Sequence, residues 1–345
     1  MFKNKKIVRL FLVLSVAILM GICQGNVLEA SESALPKIGT LKVAYAPHFG
    51  FSPYFIAKEK GYFADQGLDV ELHRFRSGGH MLAPLSTGQL DVASGRVGTD
   101  LLNAFYQDMD IKIVAGGQLF DILFMVRKDL YDSEKIRKPA DLKGAKMPAV
   151  SLRGLVEYVY AQVLALGNLT IDDVSVITLP FHEIPNAFAN RAIDAGATAY
   201  PMAAKILDAK SAVELPLGKT DTIQGEVMFF GKRLLEPANR EIGIRFMTAY
   251  VKALRDIQGE DWKKDEHVRI YSKYVKFPPA LIKRCPSPAF PVNGQIDQDS
   301  ITKQQAYHVE RGYTESQKPL PLAQITEMSF LEKALERSGK IQMGK

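Results

Sequence analysis

Hydrophobic and polar positions alternate regularly along the chain from residue 40 onward. Short apolar runs rich in β-branched and aromatic residues predict strands, and the amphipathic stretches between them predict helices. In the first series the predicted strands are Leu41–Ala46, Leu68–His73, Asp91–Ser94 and Ile111–Ala115, and the predicted helices are Ser52–Ala64, Gly79–Thr87 and Thr99–Gln107. Strand–helix units of this spacing predict an α/β fold with a mainly parallel sheet covered on both faces.

A second series of the same kind follows, and the chain then becomes helical. The predicted strands are Ile122–Arg127, Lys146–Val150, Val174–Leu179, Asp194–Ala199 and Val227–Gly231, with helices at Gly154–Leu166, Ile184–Arg191 and Met202–Ala209 and a one-turn helix at Pro139–Gly144. The later helices are Ala238–Gln258, Asp261–Tyr274, Ala280–Lys283, Asp297–Arg311 and Thr326–Ser338.

Two series without one clear linker predict two lobes joined by more than one crossing of the chain. The sequence places the crossings near Phe124–Arg127 and Gly225–Phe230. Lobe 1 is then residues 35–126 plus 224–345, and lobe 2 is residues 127–223. In such a fold the functional loops are expected at the carboxyl ends of the strands.

Composition and charge narrow the class of protein. The 345 residues are 47% hydrophobic and 24% charged, which excludes a disordered chain and a polytopic membrane protein. The formal charge of +6 comes from 44 basic and 38 acidic residues, and about half of it lies within residues 1–30. The rest is only weakly basic, so no nucleic-acid partner is expected.

The first 30 residues have the layout of a signal peptide. A basic head, Met1–Arg9, precedes the uncharged run Leu10–Cys23, which is short for a bilayer span of about 20 residues. This predicts export to the periplasm or another extracytoplasmic space. An uncleaved anchor and a lipid on Cys23 are the alternatives, the second disfavoured because Ile22 before the cysteine is not small. Cys285 would then be the one cysteine left, and we expect an inert thiol there.

Motifs for catalysis, metals and cofactors do not match. Gly218-Lys219-Thr220 lacks the upstream glycine of a phosphate loop, and His182-Glu183 lacks the second histidine of a zinc-protease motif. The six histidines show no pair at metal-ligand spacing. The sequence therefore predicts no catalytic residue, no metal and no cofactor.

Glycines, aromatic residues and arginines cluster where the predicted strands end. Glycine lets a ligand approach the backbone, aromatic rings give flat walls, and arginine offers a forked donor to anions. The predicted ligand-binding residues are His48, Phe49, Phe51, Ser77, Gly78, Gly79, Arg96, Val97, Gly98, Thr99, Arg153, Gly154, Phe181, His182 and Tyr200. Each also has a structural explanation, as a turn glycine, a surface arginine or a core aromatic.

Several segments resemble one family in the same order along the chain. They are Ala57–Leu72, Leu85–Ala93, Ile111–Gly116, Val126–Asp129, Pro139–Gly144 and Met328–Leu335. Together they resemble the ABC-transporter solute-binding proteins of the sulfonate, nitrate and thiamine-precursor type. The similarity runs from about residue 40 to residue 340.

The resemblance implies a type II periplasmic-binding-protein fold, with two α/β lobes joined by two crossing strands. It also implies capture of a small molecule, delivery to an ABC permease with its ATPase, and action as a monomer. Arg96 favours a ligand with a negative group. Two alternatives stay open: an enzyme of pyrimidine-precursor (thiamine) synthesis on the same fold, and a ligand-sensing subunit of a membrane system. The enzymes of that branch use a cysteine-rich motif, which this chain lacks.

Overall fold

The structure, a computed structural model, describes residues 39–75, 79–120, 122–218 and 220–342. The predicted signal peptide, residues 1–30, and the predicted site residues Ser77 and Gly78 lie outside the described residues. Among the helices that are described, none has both the length and the apolar character of a membrane span.

The strands and helices follow the predicted alternation closely. The strands are β1 (Thr40–Tyr45), β2 (Asp69–Arg74), β3 (Val92–Gly95), β4 (Ile111–Gly116), β5 (Leu119–Phe120), β6 (Leu123–Arg127), β7 (Lys146–Ala149), β8 (Ser175–Thr178), β9 (Ala195–Thr198), β10 (Ala212–Glu214), β11 (Ile223–Gln224) and β12 (Val227–Gly231). The helices are α1 (Ser52–Glu59), α2 (Tyr62–Asp65), α3 (Gly79–Ser86), α4 (Thr99–Tyr106), α5 (Lys128–Asp132), α6 (Leu155–Ala165), α7 (Ile184–Ala189), α8 (Met202–Asp208), α9 (Lys232–Leu235), α10 (Arg240–Asp256), α11 (Asp265–Val275), α12 (Pro279–Arg284), α13 (Gln298–Glu310), α14 (Leu322–Ile325) and α15 (Ser329–Ser338).

The first sheet has the strand order β2-β1-β3-β12-β4. β1 runs parallel to β2 and β3, whereas β12 is antiparallel to both of its neighbours. Every residue of β12 is buried, because its uninterrupted apolar run suits a central strand covered on both faces. The mixed α/β architecture predicted from the sequence is confirmed.

The second group of strands combines the antiparallel order β10-β6-β9 with the parallel pair β7-β8. Pro148 of β7 packs against Gly196 of β9, where an added Cβ would lie 2.6 Å from the proline ring. Glycine at this position therefore allows β7 to approach the antiparallel strands.

Each group of strands has its own hydrophobic core. The larger core is built from residues 41–115 and 227–334, with Ala204, so the helical C-terminal part packs on the first sheet. A second core contains Phe124, Met147 and Tyr160. The two-lobed fold follows from these separate cores.

Two crossing strands connect the two groups. β5 pairs antiparallel with β11, with Phe120 opposite Ile223, at the points where the chain leaves β4 and enters β12. The sequence places the first crossing near Phe124–Arg127, but β6 pairs with β9 and β10, and its buried apolar residues pack inside the second group: Phe124 and Val126 in the second core, Met125 in a smaller cluster with Phe188. The first crossing therefore lies at β5, and the predicted lobe boundaries stay a prediction.

Other differences from the predicted elements are local. The helix predicted at Ser52–Ala64 is divided into α1 and α2, because Gly61 between them adopts φ 75°, a conformation that ends helices. β5, β10 and β11 were not predicted, since two or three residues are too few to show an alternating pattern.

Candidate ligand-binding site

A cavity of about 430 Å³ lies between the strand ends of the two groups. Its walls come from the loops after β1 and β3, from β5, from the ends of β7 and β9, from α6 and from a loop of the helical C-terminal part. Lining residues include Phe49, Arg96, Phe120, Pro148, Leu155, Phe181, Thr198, Tyr200, Glu214 and Pro286–Ala289. The carboxyl-end loops of the strands thus meet at one cavity, as expected for an open α/β fold.

Arg96 gives this cavity a cationic wall. Its guanidinium carbon lies 5.9 Å from the ring centroid of Phe120, a cation–π distance. In the described part of the chain, no carboxylate lies within 4.0 Å of this guanidinium. A half-buried arginine without an acidic partner can bind a carboxylate, sulfonate or phosphate group through paired hydrogen bonds.

Aromatic rings form other parts of the wall. Phe49, Phe181 and Tyr200 all line the cavity, and Phe49 is held edge-on against Trp262 with 5.2 Å between ring centroids. Phe51 is placed differently: it is buried in the larger core, and its ring packs against that of His48 at 4.7 Å. Three of the four predicted aromatic residues therefore face the cavity.

His48 and Glu226 form a polar pair in the first lobe, beside the loop that carries Phe49. His48 Nδ1 accepts a hydrogen bond from the Gly50 N–H at 3.3 Å, so its Nε2 carries the proton. That Nε2 lies 3.3 Å from Glu226 Oε1 and donates to it. Burial and the nearby Arg96 charge lower the pKa of His48, which keeps its ring neutral.

Glu226 is the more deeply buried partner, with 1% of its side chain exposed. Burial raises the pKa of this carboxyl to about 7, and the positive charge of Arg96 opposes that rise. Its Oε2 has no hydrogen-bond partner among the described residues. Burying a carboxyl group with only one of its two oxygens hydrogen-bonded costs folding free energy. Buried titratable groups of this kind concentrate at functional sites.

The loops after β3 and β7 touch each other beside the cavity. The Thr99 N–H and hydroxyl both donate to the Arg153 carbonyl, at 3.4 and 2.6 Å. Gly98 packs against Gly154, where a Cβ on Gly98 would lie 3.5 Å from the Gly154 Cα. Val97 is buried in the larger core. Gly98, Thr99, Arg153 and Gly154 thus form a bridge between the two loops.

Among the described residues, the predicted site residues Gly79 and His182 and the side chain of Arg153 lie outside the cavity lining. The Arg153 side chain is exposed and its guanidinium lies 5.0 Å from the Tyr313 ring centroid. Gly79 begins α3 beside a separate hollow that Asp100 also lines. His182 is exposed, with Nε2 3.8 Å from Glu183 Oε1.

Three residues that sequence reasoning missed contribute to the site. They are Glu226, Phe120 and Thr198, whose Oγ1 is buried without a hydrogen-bond partner in the described part of the chain. Glu226 carried one signal, an acidic residue between Gly225 and the apolar run of β12. Thr198 carried none, because threonine is an ordinary strand residue.

Covalent or metal chemistry would need a reactive thiol or a cluster of His, Cys, Asp and Glu side chains. Cys285 is buried, its thiol donates to the Leu281 carbonyl at 3.2 Å, and burial raises its pKa to about 11. The thiolate is therefore scarce at neutral pH, as expected for an inert cysteine. Across the residues that the structure describes, no three His, Cys, Asp or Glu side chains gather in a group that could hold a metal ion.

Known proteins of similar sequence and structure agree with the resemblance noted above. A binding protein of Brucella abortus is 32% identical over 168 residues, which is 47% of this chain and 48% of the relative. The chain thus matches about half the length of this relative. SsuA, the alkanesulfonate-binding protein of Xanthomonas axonopodis pv. citri, solved with MOPS, has a TM-score of 0.65 at 18% identity, covering 85% of this chain and 99% of SsuA.

Two further structures share the fold. The periplasmic nitrate-binding protein NrtA of Synechocystis PCC 6803 has a TM-score of 0.70 at 17% identity, covering 88% of this chain and 90% of NrtA. A point mutant of DszB, an enzyme, solved in complex with biphenyl-2-sulfinic acid, has a TM-score of 0.58 at 18% identity, covering 86% of this chain and 99% of DszB. The fold is therefore that of the periplasmic binding proteins.

The family model described as NMT1/THI5 like matches residues 48–257, which is 210 of the 345 residues. This segment contains β3, β12 and the whole second group of strands, together with Arg96 and Glu226. The chain belongs to the NMT1/THI5-like family.

Proposed function

We propose that this chain is the extracytoplasmic solute-binding component of an ABC import system and captures a small organic anion in the cavity between its lobes. The observation that carries the proposal is the Arg96 guanidinium, which faces the cavity without a carboxylate partner in the described part of the chain. The aromatic residues that line the same cavity suit a ligand with a flat or apolar body. The relatives named as binding proteins support this function.

The proposed partners and location follow from the same function. A permease and its ATPase would receive the ligand, and the chain would act as a monomer outside the cytoplasm. Removal of residues 1 to about 25–30 on export is part of the proposal. The intact mass of protein isolated from the host envelope tests it: a full-length mass contradicts cleavage, and added acyl mass on Cys23 indicates a lipid anchor.

A thermal-shift screen tests the binding function directly. A ligand that binds only the folded state adds RT ln(1 + [L]/Kd) to the free energy of unfolding, about 2.7 kcal/mol at one hundred times Kd. We expect aromatic or alkyl sulfonates and carboxylates to raise the melting temperature, and matched neutral alcohols to have little effect. Turnover of a hit by the protein alone would instead favour the enzyme alternative.

Arg96→Ala tests the residue on which the proposal depends. Loss of a charge-assisted hydrogen bond should weaken binding of an anionic hit by about 1.5–3 kcal/mol, roughly 10- to 100-fold. Arg153→Ala is the matched control, because its exposed guanidinium lies outside the cavity, and it should change affinity less than about twofold. Calorimetry on the three proteins measures both effects. Equal affinities for wild type and a folded Arg96→Ala protein would remove Arg96 from the site.

A further inference from the structure

Glu226 is fixed in place by the backbone around the two crossing strands. Its own N–H donates to the Gln118 carbonyl at 3.0 Å, and its carbonyl accepts from the Gly117 N–H at 2.8 Å and the Gln224 side chain at 2.6 Å. These bonds hold Glu226 between β11 and β12. The backbone of Glu226 is therefore fixed relative to Gln118, which lines the cavity.

Close packing also limits movement of the carboxyl group. A Cβ added to Gly50 would overlap Glu226 Oε2, so the glycine backbone packs directly against this oxygen. Oε1 accepts the hydrogen bond from His48, and Oε2 is buried without a partner in the described part of the chain. Water cannot screen a carboxylate held in this way, so its charge acts on its neighbours at low dielectric.

Four titratable groups on four different elements interact electrostatically with Glu226, and one of them, His48, also contacts it. They are His48 in the loop after β1, Tyr54 on α1, Arg96 in the loop after β3 and Tyr250 on α10. Burial raises the pKa of both tyrosines far above neutral, so they stay uncharged. Burial and Arg96 together keep the His48 ring neutral. Arg96 is thus the charged group to which a change in Glu226 charge is coupled.

We propose that Glu226 controls anion binding through Arg96 without touching the ligand: the ionised carboxylate weakens the attraction of Arg96 for an anion, and the protonated carboxyl leaves it undiminished. This inference rests on the proposed function, which places an anion at Arg96. Burial brings the pKa of Glu226 close to neutral, so both charge states are populated under ordinary conditions. The affinity for anions then falls as the pH rises through neutrality.

The coupling is reciprocal and gives a measurement that needs no ligand. If ionised Glu226 is stabilised by Arg96, then removing the guanidinium must raise the pKa of Glu226. Carbon-13 NMR of labelled glutamate carboxyls follows this titration in wild type and in Arg96→Ala. We expect a higher pKa in the variant, and an unchanged Glu226 titration would overturn the proposal.

Calorimetry with benzenesulfonate, whose charge is constant between pH 6 and 8.5, tests the effect on binding. A bound anion raises the pKa of Glu226, because it disfavours the ionised carboxylate. For each pH unit of this rise, the affinity for the anion falls tenfold once the pH is above both pKa values. We expect wild type to bind roughly tenfold more weakly at pH 8.5 than at pH 6. Glu226→Gln should bind equally at both pH values, with the affinity that wild type shows at pH 6.

Glu336→Gln is the matched control, because Glu336 is an exposed carboxylate outside the cavity lining and water screens its charge. Its affinity should fall with pH as steeply as that of wild type. A pH dependence that persists in folded Glu226→Gln contradicts the proposal. If benzenesulfonate binds none of these proteins, the proposed function loses support, while the NMR titration still decides whether Glu226 and Arg96 are coupled. If Glu226→Gln does not fold, the NMR titration in wild type and Arg96→Ala still shows whether Glu226 and Arg96 are coupled.

Discussion

Thr198 ends β9 and lines the cavity, and its buried hydroxyl finds no hydrogen-bond partner among the described residues. Leaving a buried hydroxyl unpaired costs about 1–3 kcal/mol. A ligand group that pairs with this oxygen recovers that cost on binding. Thr198 would then supply a polar contact from the second group of strands, complementary to Arg96 from the first sheet.

Thr198→Val should separate stability from binding. Valine has the same shape and suits a strand, so the free energy of unfolding of the empty protein should stay equal or rise by about 1 kcal/mol. Binding of the best anion from the thermal-shift screen should weaken roughly tenfold, which is about 1.4 kcal/mol. Urea unfolding and calorimetry measure the two effects. Thr198→Ser keeps the hydroxyl and should bind within about threefold of wild type, and wild-type affinity in the valine variant would show that the hydroxyl takes no part.

The predicted site residues that line the cavity are those whose chemistry is visible locally in the sequence. Phe49, Arg96, Phe181 and Tyr200 stand at strand ends next to helix starts, and all four line the cavity. The burial of Glu226 could not be predicted in this way. It depends on Gly50 and His48, which lie more than 170 residues earlier in the chain.

The strands and helices were predictable where they are long and periodic. β1, β12, α6 and α10 all lie within two residues of their predicted bounds, because their apolar positions repeat with the period of the element. The crossing strands β5 and β11 have no such pattern. Their position depends on pairing between residues about 100 apart, which a single sequence does not display.

The loops after β3 and β7 show how elements from the two groups are linked. Thr99 at the start of α4 reaches the carbonyl of Arg153, which itself adopts φ 59° just before α6. The Arg153 N–H donates to Glu157, and Tyr307 on α13 donates to the other oxygen of that carboxylate. The bridge therefore connects the first sheet, the second group of strands and the C-terminal helices.

Thr99→Val should weaken this bridge and favour separation of the loops. The variant removes the hydroxyl bond to the Arg153 carbonyl but keeps the size of the side chain. This loss should weaken the contact between the two loops by about 0.5–1.5 kcal/mol. Affinity for the anion found in the screen should therefore fall about two- to tenfold, and small-angle scattering should show a larger radius of gyration without ligand. Thr99→Ser retains the bond and serves as the control. An unchanged radius of gyration and affinity in the valine variant would show that the Thr99 hydroxyl does not help to hold the two loops together.

At the scale of the whole molecule, acid stability depends on histidines that are buried without charge. His308 on α13 is fully buried, and neither ring nitrogen has a hydrogen-bond partner among the described residues. Burial lowers its pKa to about 4, with Glu157 opposing the shift. In the unfolded chain His308 is protonated as the pH falls below about 6.5, whereas in the folded protein it is protonated only below about pH 4. Folding free energy contributed by neutral His308 is therefore present above pH 6.5 and lost as the pH falls to about 4.

His308→Met should remove this loss, because methionine fills a similar volume and does not titrate. A shift from 6.5 to about 4 corresponds to about 2–3 kcal/mol between pH 7.5 and pH 4.5. We expect the variant to gain about that much unfolding free energy relative to wild type when urea unfolding is compared at these two pH values. His48 and Glu226 titrate in both proteins, so their contributions to the unfolding free energy cancel when the variant is compared with wild type. His182→Gln, an exposed site, should follow wild type, whereas a wild-type pH dependence in His308→Met would mean that the His308 ring is accessible to protons in the folded protein.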